Sequence, residues 1–223
     1  MNQFSKVVEL LDTAPDLLGT ERTERRDAVE NRARILAAAH SLFAQRSVAC
    51  VSMAEIAIEA GVGKGTLYRR FANKGELCLA LLDGHLQTFQ DAMLAEMHTM
   101  RSQRISYCQQ LCSVLRSIVH FTETHTALLR EVQHNGVMGG SETTSPHFVW
   151  QYLTVRGLLQ AAVRAGELRP TVDVEWVADA LLAPLNAQFY QFLRETRGFS
   201  QERIAEGLWN LVENLPVPQA GKK

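Results

Sequence analysis

The feature that most constrains the fold is a spacing. From about residue 27 onward, almost every segment repeats its apolar residues at three and four, and strand-like alternation is scarce. Such spacing places one apolar stripe along a helix. Ile35, Leu36, Ala39, Leu42 and Phe43 predict an amphipathic helix over roughly 27–46. Ser52 followed by Glu55, just ahead of Ile56 and Ala57, is a capping-box signature. In it the serine oxygen and the glutamate each satisfy an orphan amide at a helix start. Gly61 is a fitting stop, because it adopts a left-handed backbone cheaply. These signals predict short helices over 53–60 and about 64–71. Asn73 and Glu76 make another cap-like pair and open a long helix to about 98. Further helices are expected near 103–122, 124–135, 146–166, 173–196 and 200–214, with Pro184 kinking the last but one or leaving one carbonyl unpaired. The fold class is all-α.

The ends read differently. Phe4, Val7, Val8 and Leu11 have helical spacing, but Pro15 and Gly19 follow soon after. The expectation is a flexible arm over 1–26, with ERTERRD at 21–27 solvated, and a frayed tail over 216–223. The N-terminus has neither the basic start nor the apolar run of a signal peptide. No apolar run approaches the roughly 18 residues that span a bilayer. Cys50, Cys78, Cys108 and Cys112 form no CxxC pair and match no zinc spacing, so free thiols in a reducing cytoplasm are expected, with no metal and no cofactor. Cys108 and Cys112 lie one turn apart, as small buried hydrophobes or as a thiol sensor.

The stretch GVGKGTLYRRF at 61–71 permits two chemistries. Its Gly63-Lys64 resembles the end of a phosphate-cradling loop, GxxxxGK[ST]. The first glycine of such a loop would fall at Ile58, and Gly65 stands where Ser or Thr belongs. The loop must also follow a buried strand so that its amides curl round the phosphates. Here a capped helix precedes it, with Met53, Ile56, Ala57 and Ala60 on one face.

Two short helices joined by a glycine turn read instead as helix-turn-helix, whose second helix enters the major groove. Val62, Leu67 and Phe71 are spaced to face a small core, which turns Lys64, Gly65, Thr66, Tyr68, Arg69 and Arg70 outward. Gly63 and Gly65 each cost about 1 kcal/mol against alanine in a helix. What they offer is close approach to a duplex at a helix start that attracts phosphate. Thr66 can meet a thymine methyl or a phosphate, and Tyr68 can bond phosphate and pack on sugar. Lys64 and Arg70 are candidates for guanine edges or for backbone, and Arg69 is either a contact or a solvated arginine. Lys74 suits a phosphate, and Ser52 can cap its helix and touch the DNA backbone together. The net charge of the whole chain is −1, but residues 20–76 hold ten Lys/Arg against seven Asp/Glu, a net of +3. A locally basic face on a neutral protein steers toward phosphate.

Residues 32–77 resemble the N-terminal domain of the tetracycline-repressor (TetR) family of bacterial transcription regulators. The match runs through RILAAAHSLFAQ, SMAEIAIEAGVGKGTLYRRF and NKGEL, with the AGV turn, TLY and NK-x-EL in place. Two departures are visible. Ser47-Val48-Ala49-Cys50 stands where a glycine is common, and Gly75 where an acid is frequent.

The resemblance implies a three-helix DNA-binding domain over 27–75 and a larger helical effector-binding and dimerisation domain over 76–215. It implies a cytoplasmic homodimer on a near-palindromic double-stranded DNA operator, released by a small-molecule effector and acting as a repressor. The last two helices would form a four-helix bundle with their copies through Trp176, Leu181, Leu185, Phe189, Ile204, Leu208, Leu211 and Val212. Without a partner, the same residues would cover the chain's own core.

Phe89, Met93, Tyr107, Leu111, Leu115, Ile118, Phe121, His125 and Trp150 are candidates to line an effector pocket, with His120 and His134 as further polar handles. Apolar walls with few polar groups suit a lipophilic or aromatic effector. The rival readings are an activator or effector-independent regulator, a helical enzyme, and an adaptor whose basic helix meets an acidic protein. No convergent nucleophile or acid–base set supports the enzyme.

Overall fold

The computed structural model describes residues 17–135 and 146–217, and side-chain surroundings within 27–135 and 148–217. The arm before Leu17, the glycines at 136, 139 and 140 and the tail beyond 217 lie outside the described residues. Every regular element among the described residues is helical. The chain divides into two compact units, one of residues 1–46 and 51–72, the other of residues 47–50 and 73–223.

The first unit holds three helices: α1 (Leu17–Gln45), α2 (Met53–Glu59) and α3 (Lys64–Arg70). α1 starts at Leu17, not near 27. After Pro15 the charged stretch is rich in Glu and Arg, which are good helix formers, so polarity alone does not make it an arm. The core of this unit is Ile35, Ala38, Ala39, Val51, Met53, Ile56, Ala57, Ala60, Leu67 and Phe71. The Arg32 guanidinium sits over the Phe71 ring at 5.6 Å. A short 3-10 turn, Val48–Cys50, lies between α1 and α2 in sequence but is part of the second unit.

The second unit is built around α5 (Tyr107–His134), which packs on α4 (Lys74–Ser102), α6 (Pro146–Arg164), α8 (Ala187–Gln191) and α9 (Gln201–Glu213). The break expected near residue 123 is absent. The polar run TETHT stays helical, and within it the Thr124 and Thr126 hydroxyls donate back to the His120 and Thr122 carbonyls at 2.9 and 2.5 Å. α5 begins later than 103 because α4 runs on to Ser102 and Arg104 turns into the left-handed region at φ 56. The α5 start is then capped twice. Ser106 accepts from the Gln109 amide at 3.2 Å. The Glu167 carboxylate, distant in sequence, accepts from the Tyr107 and Cys108 amides at 2.9 Å each.

The segment expected as one helix over 173–196 is divided. α7 (Val174–Leu182) stops ahead of Pro184 in a 3-10 turn, α8 follows, and a π turn spans Phe192–Thr196. Proline supplies no amide to continue the ladder. Asn186 restarts it by accepting from the Gln188 and Phe189 amides at 3.0 and 3.1 Å. No helix among the described residues is long and apolar enough to cross a membrane.

Candidate functional site

In the first unit, α2 opens with both halves of the capping box. The Glu55 amide donates to Ser52 Oγ at 3.2 Å, and the Ser52 amide donates to Glu55 Oε2 at 2.8 Å. Arg46 adds an ion pair to Glu55 at 2.7 Å. The Ser52 amide first, then Arg46, hold the Glu55 carboxyl down at about 2. Ser52 Oγ also donates to Glu55 Oε2 at 2.8 Å, so its hydroxyl is engaged in the cap. α2 ends in a Schellman turn. The Val62 amide reaches the Ala57 carbonyl and the Gly61 amide the Ile58 carbonyl, each at 3.0 Å, with Gly61 at φ 61.

That turn sets the rotation of α3. Leu67 and Phe71 are buried and Val62 is half-buried. Lys64, Gly65, Tyr68, Arg69 and Arg70 are exposed, as the spacing predicts, and Thr66 is half-buried. The side chains of Lys64, Tyr68, Arg69 and Arg70 make no hydrogen bond or ion pair with any described residue. Tyr68 is a large ring left 50% exposed. Gly63 stands at φ −67, and a Cβ at Gly63 or Gly65 would meet nothing within 4 Å. Nothing inside the protein therefore requires glycine at either position.

Lys74 differs from its expectation. It belongs to the second unit, where its ammonium donates to the Ala49 carbonyl and pairs with Glu131, each at 3.3 Å. It is not a free cation beside α3.

Four of the expected pocket residues come together in the second unit. A cavity of about 570 Å³ is lined by Phe89, Met93, Phe121 and His125, with Ala92, Glu96, Arg116, Ser117, His120, Thr124 and Gln201. Phe89 and Phe121 meet at 4.7 Å between ring centres, and Phe121 meets His125 at 4.4 Å. Burial lowers the His125 pKa, and His85 and His120 lower it further, so the neutral ring is favoured.

The remaining expected lining residues lie elsewhere. Leu111, Leu115 and Ile118 face away from the cavity, into the core of the unit. Tyr107 packs on that core from the α5 start, and Trp150 stands behind the cavity wall, edge-on to Phe89 at 5.9 Å. Sequence reasoning missed Gln201, which α9 brings in from far along the chain, and Ala92, Glu96, Arg116, Ser117 and Thr124 on α4 and α5. Each of these five lies three or four residues from a named neighbour, on the same helical stripe. His134 lines a separate cavity with Ser47, Ala49 and Gln188. Burial pushes the Cys108 thiol up to about 11 and the Cys112 thiol to about 12. Both favour an inert thiol over a reactive thiolate.

The expected dimer residues divide in two. Leu181, Leu185, Ile204, Leu208 and Val212 lie in the chain's own core and have little surface left for a partner. Trp176, Phe189 and Leu211 remain 71%, 47% and 56% exposed, and Phe192 stacks on Phe189 at 5.9 Å.

Comparison with known proteins agrees with this geometry. Residues 35–81 match the model of bacterial regulatory proteins of the tetR family. An HTH-type transcriptional regulator of Staphylococcus aureus (strain MRSA252) is 35% identical over 187 residues, covering 84% of this chain and 95% of that one. A second, from Staphylococcus aureus (strain bovine RF122 / ET3-1), is 49% identical over 65 residues. That match spans 29% of this chain and 35% of the relative, about a third of its length. Thermus thermophilus FadR, a TetR family transcriptional repressor solved in complex with lauroyl-CoA, shares the fold at a TM-score of 0.62. It is 19% identical, over 86% of this chain and 98% of that one. With a capped helix, a Schellman turn and an outward basic helix in the matched region, the chain belongs to the tetR family of bacterial regulatory proteins.

Proposed function

We propose that the protein is a cytoplasmic transcriptional repressor that binds a near-palindromic DNA operator as a homodimer and is released by a small-molecule effector. The observation that carries this reading is the outer face of α3. Three cations and a tyrosine stand there without an internal partner among the described residues, beside two glycines that nothing inside the protein requires. A duplex explains both facts. Phosphates and base edges take the cations and the phenol, and the missing side chains let the backbone approach. Lys64, Thr66, Tyr68 and Arg70 are the proposed contacts, with Arg69 beside them.

Dimerisation would use the exposed Trp176, Phe189, Phe192 and Leu211, whose apolar surface a soluble monomer has no reason to leave uncovered. The cavity between α4, α5 and the start of α9 would hold the effector. Its aromatic and methionine walls suit a lipophilic or aromatic molecule, and the lauroyl-CoA held by the Thermus thermophilus repressor supports that class. Effector binding would favour a conformer whose heads no longer match the operator spacing.

The test starts by selecting operator DNA from a random duplex library with the wild-type protein. Lys64→Ala and Tyr68→Ala are expected to weaken binding to the selected duplex while the dimer mass is unchanged. Wild-type affinity in both variants would remove the site assignment.

A further inference from the structure

Residues 47–50 occupy an unusual place. In sequence they join α1 to α2, both in the DNA-binding unit, yet they pack with the C-terminal unit. Val48 is buried there. One side chain also grips its backbone. The Lys74 ammonium donates to the Ala49 carbonyl at 3.3 Å and pairs with Glu131 Oε1 at 3.3 Å. Both side chains are largely covered, at 13% and 18% exposed.

Neither charge is there for the sake of its own helix. Lys74 is the first residue of α4, where the helix dipole disfavours a cation. Glu131 sits in the last turn of α5, where the dipole disfavours an anion. Two residues that each break a local rule and meet across a tertiary contact point to a demand made by the whole fold.

We propose that Lys74 is a positioning residue that couples the effector cavity to the DNA-binding unit. It rests on the effector reading of that cavity. α5 carries Phe121, Thr124 and His125 in the cavity wall and Glu131 about two turns further on. A rigid helix that shifts around a ligand carries Glu131 with it. Through the Lys74 clasp, that shift reaches Ala49, and so the two points, Arg46 and Val51, at which the chain leaves and re-enters the DNA-binding unit. The sequence alone suggests a phosphate contact for the same residue, and the two roles make different predictions.

The experiment compares Lys74→Met, Glu131→Gln, the double variant and Lys74→Arg with wild type, each full-length and checked for helix content. The first readout is hydrogen exchange of the 47–51 amides without DNA, including that of Cys50, which donates to the Ser47 carbonyl. The clasp predicts exchange roughly tenfold faster in both single variants, no further increase in the double, and near-wild-type protection in Lys74→Arg. Unchanged exchange in either single variant overturns it.

The second readout is affinity for the selected operator across a salt series. The clasp predicts that Glu131→Gln weakens binding as Lys74→Met does, with wild-type salt dependence in both. A phosphate contact predicts instead that Glu131→Gln binds as wild type and that Lys74→Met lowers the slope by about 1.8, about 0.9 for each of the two contacts a homodimer loses, and that pattern also overturns the proposal. If no operator can be selected, the regulator reading fails while the exchange readout still decides the clasp.

Discussion

In the C-terminal unit, charged side chains at packed surfaces have internal partners. Arg194 forks onto Glu123 with two bonds of 2.8 Å while Tyr190 donates to the same carboxylate at 2.6 Å. Burial works to raise that carboxyl, and the bonds from Arg194 and Tyr190 overcome it, so it stays below the ordinary range. Glu167 caps α5, and Lys74 joins Ala49 to Glu131. On α3 of the first unit, Lys64, Arg69 and Arg70 are all exposed and have no such partner among the described residues. Cations that complete a fold are consumed by it. Cations that a fold merely holds outward are available to another molecule, and α3 gathers three of them on one short helix.

The comparison can be broken first at the support beneath the α3 cations. Leu67 is fully buried under α3. Leu67→Ala is expected to destabilise the first unit by about 2–5 kcal/mol and to abolish operator binding, with the C-terminal helices retained. Denaturation followed by circular dichroism, set beside dimer mass, checks it. Loss of the C-terminal helices in the same transition would show that the units are not separable in this way.

A smaller effect is expected at the cap. Ser52→Ala removes the acceptor for the Glu55 amide and should cost about 1 kcal/mol. Operator affinity of the folded fraction should fall little, because the hydroxyl is engaged in the cap. A loss as large as that of Lys64→Ala would return Ser52 to the set of DNA contacts.

The smallest expected effect is a pH dependence in the C-terminal unit. The His125 pKa is lowered in the folded state, so the unfolded chain binds more protons in the window below about 6.5. Stability therefore rises with pH through that window, and what is present at neutral pH is lost as pH falls through the folded-state pKa. His125→Gln is expected to flatten this dependence. An unchanged slope of midpoint against pH between 5 and 7 would contradict the burial argument.

What the sequence makes legible follows the range of the forces involved. The capping box at Ser52, the stop at Gly61 and the outward face of α3 rest on neighbours within a few residues, and all are readable. The start of α5 carries a local cap signal, Ser106 with Gln109 three residues on, that the helix expected from 103 passes over, and a second cap from Glu167, far along the chain, that no local pattern announces. The interruption at Pro184 is legible as a kink, but the restart at Asn186 is not. Leu111, Leu115 and Ile118 share the periodicity of true cavity residues, and only the rotation of α5 among its neighbours assigns them to the core. Lys74 lies close to α3 in sequence, which suggests a phosphate, whereas its partners, Ala49 and Glu131, are brought to it by tertiary packing.

The most direct measurement is the salt dependence of binding to the selected operator, for wild type and for a Lys64→Ala/Arg70→Ala variant, with a random duplex alongside. The outward face of α3 predicts a steep fall in wild-type affinity with salt. It predicts a slope lower by about 0.9 for each phosphate contact removed, and a clear preference for the operator over random duplex. Equal binding to both duplexes, or a variant that keeps wild-type affinity and slope, would contradict it.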